Sequence, residues 1–299
     1  MDQAENLRNI IKKDRQRASS NTRVITVTSG KGGVGKSNIS VNLAIQLQRL
    51  GKRVIIIDAD FGLANVEVMF GIRPVYNLGD LIYRGKGIKD IITKGPEGIG
   101  FISGGSGIQE LSNLNRDQIV SLTRNFGELD EIADIIIVDT GAGISESVLE
   151  FVTASSEVLL IVTPEPTSIT DAYALLKTLD RSEEFDDRNT VIKVVANRVS
   201  SANAGKELFH KLSAVVDRFL EVKLEYLGAV PQDNNVSKAV ILQKPFSLIY
   251  PLSSSSKALY ELAHTLNNNG LPGKTGQGKG ISRFFANLIR CFLITRTTD

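Results

Sequence analysis

The stretch Val24-Ile25-Thr26-Val27-Thr28-Ser29-Gly30-Lys31-Gly32-Gly33-Val34-Gly35-Lys36-Ser37 decides the fold, and Ile39, Leu43, Leu47 and Leu50 follow it at helical spacing before Gly51. A β-branched run, a glycine loop and an amphipathic helix closed by a glycine occur here in the order that builds a phosphate-binding loop. Gly30 and Gly35 allow tight turns, and Gly32, Gly33 and Val34 lend backbone amides. Lys36 is spaced to reach the β and γ phosphates, and Ser37 to hold Mg²⁺. The start of the helix adds free amides and a partial positive charge. Lys31 is surplus to this pattern, so its charge is expected to act elsewhere.

Farther along, Arg53-Val54-Ile55-Ile56-Ile57 ends at Asp58-Ala59-Asp60, and Ile135-Ile136-Ile137-Val138 ends at Asp139. Val158-Leu159-Leu160-Ile161-Val162 ends at Thr163-Pro164, and Val191-Ile192-Lys193-Val194-Val195 at Ala196-Asn197. Near-continuous Val/Ile/Leu runs separated by helical stretches predict an α/β fold with a mostly parallel central sheet and helices on both faces. With the phosphate loop, this is the plan of a P-loop NTPase. Each run stops in polar residues, and ligands of such sheets sit beyond the carboxyl ends of the strands.

The 299 residues carry 42% hydrophobic side chains, enough for one sizeable core with short appendages. Basic and acidic residues nearly balance, 35 against 33, so no global field demands nucleic acid. A single cysteine, Cys291, leaves no internal disulfide and no Cys-x-x-Cys metal site within one chain, which fits a reducing cytoplasm. No run approaches the roughly 20 apolar residues of a membrane span, and the polar start is unlike a secretory signal.

With Lys31 in place, the loop resembles the deviant Walker A motif of the MinD/ParA family of ATPases. The resemblance implies that two ATP-bound subunits stack as a homodimer, with Lys31 reaching the partner's phosphates as a trans cation. Asp58-Ala59-Asp60-Phe61-Gly62-Leu63-Ala64-Asn65 resembles the family's switch I, which implies that Asp60 positions the attacking water and Asp58 lies near Mg²⁺. Asp139-Thr140-Gly141-Ala142-Gly143 resembles switch II, which implies that Asp139 supports the metal. Asn197-Arg198 and Gly228-Ala229-Val230-Pro231 match positions where the family holds the base, so Asn197, Arg198 and Pro231 are expected at adenine. The implied cofactors are ATP and Mg²⁺, and the implied activity is slow ATP hydrolysis.

Fold alone leaves the biology open, so the appendages must decide it. Asp2-Gln3-Ala4-Glu5-Asn6-Leu7-Arg8 resembles the D-Q-A-x-x-L-R motif of the FlhG (YlxH, FleN) family of MinD-like ATPases, which control flagellar number and placement. That resemblance implies that Asp2, Gln3, Ala4, Leu7 and Arg8 stimulate the GTPase of an FlhF-type partner, with C-ring proteins of the flagellar basal body as further partners.

At the other end, Ile281, Phe284, Phe285, Leu288, Ile289 and Phe292 repeat at spacings of three and four, with Arg283 and Arg290 beside them. The stripe predicts an amphipathic helix on the anionic inner face of the cell membrane, docked on the protein without ATP and released in the dimer. The expected organisation is therefore an activator helix and linker over 1–21, an ATPase domain over 22–266, a glycine-rich linker over 267–280 and a membrane-targeting helix over 281–294. A cell-division or DNA-segregation ATPase of the MinD or ParA type is the alternative. The balanced charge gives no basic patch, so no specific nucleic acid is expected. Iron–sulfur carriers of the same fold need paired cysteines, which one chain of this sequence lacks.

Overall fold

The computed structural model describes residues 22–60, 64–105, 114–268 and 280–295. Its strands are β1 (Arg23–Thr28), β2 (Val54–Ala59), β3 (Thr93–Lys94), β4 (Gly100–Ser103), β5 (Ile135–Thr140), β6 (Glu157–Val162), β7 (Val191–Val199) and β8 (Leu224–Pro231). They form one sheet in the order β3-β4-β2-β5-β1-β6-β7-β8. All neighbours run parallel except β3, which pairs antiparallel with β4 at the edge. The helices are α1 (Lys36–Arg49), α2 (Asn65–Phe70), α3 (Leu78–Tyr83), α4 (Ile88–Ile91), α5 (Arg116–Gly127), α6 (Leu129–Ile132) and α7 (Glu146–Ala154). They continue with α8 (Pro166–Asp180), α9 (Ala202–Phe219), α10 (Asn234–Ile241), α11 (Phe246–Ile249), α12 (Ser254–Asn268) and α13 (Ile281–Thr295).

Asp2, Gln3, Ala4, Leu7 and Arg8 lie outside the described residues, as do Phe61-Gly62-Leu63 and most of the glycine-rich linker. Helix α12 continues to Asn268, past the expected end of the ATPase domain.

Every residue of β2, β5 and β6 is buried. That explains why these strands read as continuous apolar runs rather than alternating ones: both faces are covered. Along β1, Ile25 and Val27 join a core with α1 and α12, whereas Val24 joins one with α5, α7 and α13. A third cluster packs Val158, Leu160 and Val194 beneath α8 and α9.

The apolar stripe of α13 is covered by the protein itself. Ile281, Phe284, Phe285, Leu288 and Ile289 are buried in the core shared with α5 and α7. Phe285 stacks on Phe126 with ring centroids 3.4 Å apart, and Phe284 lies 6.2 Å from Phe151. These rings give the stripe an apolar partner other than lipid, and each such side chain gains about 1.5–3 kcal/mol on leaving water. The Phe292 side chain falls outside the described residues. At the start of α13, the Ile281 amide and the Ser282 hydroxyl both donate to the Asp130 carboxylate at 3.3 Å. Thr22, where the described chain begins, donates to the carbonyls of the same segment: Ala133 at 2.9 Å and Asp130 at 3.4 Å. Cys291 is partly buried on α13, and burial pushes its thiol up to about 11, with Glu150 and Glu184 adding to the rise.

At the amino ends of the strands, the Glu157 carboxylate is fully enclosed between Arg23, at 2.5 Å, and Lys193, at 2.8 Å. Arg23 also donates to the carbonyl of Leu266, tying β1 to the last turn of α12.

Candidate functional site

The loop between β1 and α1 is shaped by glycines whose roles differ. Gly33 and Gly35 have φ of 75° and 97°, the left-handed region that glycine enters without penalty. A Cβ on Gly30 would overlap the backbone of Asp171 in α8, and one on Gly35 would come within 2.6 Å of the Asn197 amide nitrogen. The loop is thus pinned between two neighbours, with its amides and the start of α1 forming an anion cradle. Val34 is buried and anchors it from below.

Lys36, the first residue of α1, is 8% exposed. Burial lowers its pKa, while Asp139 and Asp60 act in the opposite sense. Asp139, next to last in β5, is fully buried; burial pushes it up to about 6, with Ser37 and Ser40 acting in the opposite sense. The Ser40 hydroxyl meets Oδ1 at 2.8 Å, and Oδ2 has no partner among the described residues. A buried carboxylate oxygen without a donor, beside a serine hydroxyl and a lysine, fits a divalent cation.

Asp58, expected near the metal, lies close enough to Asp139 to interact with it and also braces the neighbouring loop. Its Oδ1 accepts the amide of Asp60 at 3.2 Å and its Oδ2 the amide of Val66 at 3.1 Å. These bonds anchor the loop that carries Asp60, and each oxygen retains a further lone pair. Burial raises it to about 7, with Asp139 contributing. The Asp60 carboxylate accepts from Asn65 Nδ2 at 3.0 Å. Switch II sits alongside: a Cβ on Gly141 would lie 3.7 Å from Asp60 Oδ1, and the Gly143 amide donates to the Ser29 carbonyl at 2.9 Å.

Lys31 is turned away from this cluster. Its ammonium donates to Glu165 and to Thr167, each at 2.7 Å, at the amino end of α8. The side chains of Lys31 and Glu165 are 35% and 53% exposed, so the pair lies on the rim. The lysine's hydrogen bond holds the Glu165 carboxyl below the usual range.

Next to Gly35 opens a cavity of about 200 Å³ lined by Asn197, Arg198, Pro231, Val236 and Phe246. Asn197 Nδ2 donates to the Val34 carbonyl at 2.7 Å, so its amide braces the phosphate loop. Arg198 has a φ of 56° and is exposed at the rim. Asp233 caps the starts of both α10 and α12 through Asn235 N, Ser254 Oγ and Ser255 N.

The fold therefore gathers Gly30 to Ser37, Asp58, Asp60 and Asp139 at the carboxyl ends of β1, β2 and β5, with Asn197, Arg198 and Pro231 in the adjoining cavity. It holds Ile281, Phe284, Phe285, Leu288 and Ile289 in a separate core. Ser40, Asn65, Glu165 and Thr167 also touch the site, although their motifs do not single them out. Ser40 carries a faint signal, being three residues after Ser37 on one helix face. Glu165 carries another, as the first acid after the strand end at Thr163-Pro164.

Residues 25–246 match the model of the CobQ/CobB/MinD/ParA nucleotide binding domain. The antiactivator FleN of Pseudomonas aeruginosa is 45% identical over 84% of this chain and 88% of its own. The flagellum site-determining protein YlxH of Helicobacter pylori is 33% identical over 90% of each chain. Among solved structures, the septum site-determining protein MinD of Pyrococcus horikoshii, complexed with Mg-ADP, superposes with a TM-score of 0.64 over 85% of this chain and 100% of its own, at 22% identity. Fold, loop and kinship agree: the chain belongs to the MinD/ParA family of P-loop ATPases, in the branch of FleN and YlxH, and is an ATPase that uses ATP and Mg²⁺.

Proposed function

We propose that this chain is an ATP-driven dimer switch that regulates flagellar number and placement from the inner face of the cell membrane. The observation that carries the switch is the parking of Lys31 on Glu165 and Thr167 at the rim. Lys36 already supplies the buried cation of the site. A second, half-exposed lysine is free to exchange its pair for a partner's γ phosphate, where it would stabilise transferring charge.

Within each subunit, Gly30 to Ser37 cradle the phosphates, and Ser37, Asp58 and Asp139 would hold Mg²⁺, which when bound would neutralise charge on the phosphate oxygens. Asp60, steadied by Asn65, positions the attacking water. Arg198, Pro231 and Asn197, which line the adjoining cavity, would hold the base.

The outputs lie at the termini. Ile281, Phe284, Phe285, Leu288 and Ile289 cannot be buried in protein and in lipid at once, so α13 must leave its groove to reach a bilayer. Two such helices in a dimer hold a membrane far better than one. The N-terminal segment would present Gln3 to an FlhF-type GTPase with Leu7 and Arg8 as anchors, and C-ring proteins are further partners. The flagellar part of this reading is supported by the likeness to antiactivator FleN and to the flagellum site-determining protein YlxH.

Sedimentation with anionic liposomes tests the switch: binding should rise with ATP over ADP in the parent and stay at the ADP level in Lys31→Ala. Equal binding in both nucleotides removes the switch. A peptide of residues 1–21 should stimulate GTP hydrolysis by the FlhF-type partner and lose that effect on Gln3→Ala. An inactive parent peptide removes the activator role.

A further inference from the structure

Ser40 lies on α1 one turn beyond Ser37, so the two hydroxyls share a face of the helix. Both lie on the side of the same carboxylate. Ser40 Oγ donates to Asp139 Oδ1 at 2.8 Å, and Ser37 is near enough to help hold that carboxyl down. Ser40 and Asp139 are each 0% exposed, and Asp139 Oδ2 is without a partner among the described residues.

A buried hydroxyl that gives its proton to a carboxylate fixes both groups. Rotating Asp139 would break a charge-assisted hydrogen bond where no water can replace it. The bond occupies Oδ1 and leaves Oδ2 as the oxygen on offer. Ser37 is the helix residue that would hold the metal. Ser40 is one turn deeper and carries no such second duty.

We propose that Ser40 is a positioning residue of the metal site: its hydrogen bond to Oδ1 holds Asp139 so that Oδ2 is presented to Mg²⁺ beside Ser37. The role rests on the reading of Asp139 as the metal-side carboxylate. It differs from that of Ser37, because Ser40 never touches the metal or the nucleotide.

The test is a double-mutant cycle read through metal affinity rather than turnover. The full-length parent, Ser40→Ala, Asp139→Asn and the double variant are loaded with a fluorescent ADP analogue, first in EDTA and then across a Mg²⁺ titration. Ser40→Ala should raise the half-saturating Mg²⁺ concentration by about 10-fold, the scale of losing an outer-shell partner. Its affinity for the analogue in EDTA should stay within about twofold of the parent, and Ser40→Thr, which retains the hydroxyl, should restore the Mg²⁺ response. In the Asp139→Asn background, Ser40→Ala should add nothing. A parent-like response of Ser40→Ala beside a shifted Asp139→Asn overturns the role of Ser40 alone. So does an equal loss in EDTA and in Mg²⁺, or full additivity with Asp139→Asn. A parent-like response of Asp139→Asn overturns the metal-side reading, and the Ser40 role falls with it.

Discussion

At the amino ends of β1, β6 and β7, Glu157 is completely buried, yet Arg23 and Lys193 outweigh the effect of burial and hold its carboxyl below the usual range. At the carboxyl ends of the same sheet, Asp139 is buried to the same degree, and there burial wins and pushes the carboxyl up to about 6. The carboxyl chemistry, the depth and the sheet are alike; the partners differ. Charge that serves the fold is neutralised by the fold. Charge at the phosphate end is left partly uncompensated, with one oxygen of Asp139 unpartnered, until a ligand supplies what is missing.

The strongest way to break this contrast is Glu157→Ala. It leaves Arg23 and Lys193 buried without their anion and should lower stability by about 3–5 kcal/mol in urea denaturation. A loss no larger than that of an exposed pair would mean that water already reaches the triad. Asp139→Asn should do the reverse at the other end. At pH 8 it removes a poorly compensated buried charge and should raise the stability of the metal-free protein by about 1–2 kcal/mol, while lowering ATP turnover by about 100-fold.

Acidity sharpens the same contrast. Asp58, raised to about 7, and Asp139, raised to about 6, keep protons in the folded chain that the unfolded chain sheds near 4. Between about pH 5 and 7 the native state therefore binds more protons, and the metal-free protein should lose stability as pH rises through that window. Glu157 and Asp233, both held low, finish titrating below it. Urea midpoints at pH 5 and pH 8 should differ in that sense, and Mg²⁺ with ADP should shrink the difference. A rise in stability toward pH 8 without metal would contradict the assignment. The smallest effect on stability belongs to Lys31→Ala. Its pair with Glu165 is exposed, so the unfolding midpoint should match the parent, whereas ATP-dependent dimers, read by light scattering, should vanish.

The phosphate loop was legible because its chemistry is local: strand, glycines, lysine and helix follow one another within Val24 to Leu50. Asp58 and Asp139 were legible as strand ends, and the parallel sheet as unbroken apolar runs. The antiparallel β3 was not, since Thr93 and Lys94 carry no pattern of their own. Contacts that join distant stretches were also hidden. Ser40 meets Asp139 across 99 positions and Lys31 meets Glu165 across 134, and no local periodicity encodes such pairs. The stripe of α13 announced an apolar face without saying what would cover it; the answer lay in Phe126 and Phe151, on helices far back in the chain.

That docked helix has one more consequence. Cys291 is the only cysteine of the sequence, and it sits on α13 with its thiol held up at about 11 by burial. If α13 departs as proposed, alkylation of Cys291 should turn from slow to fast, a native chemical gauge with no engineered label and no background from any other thiol.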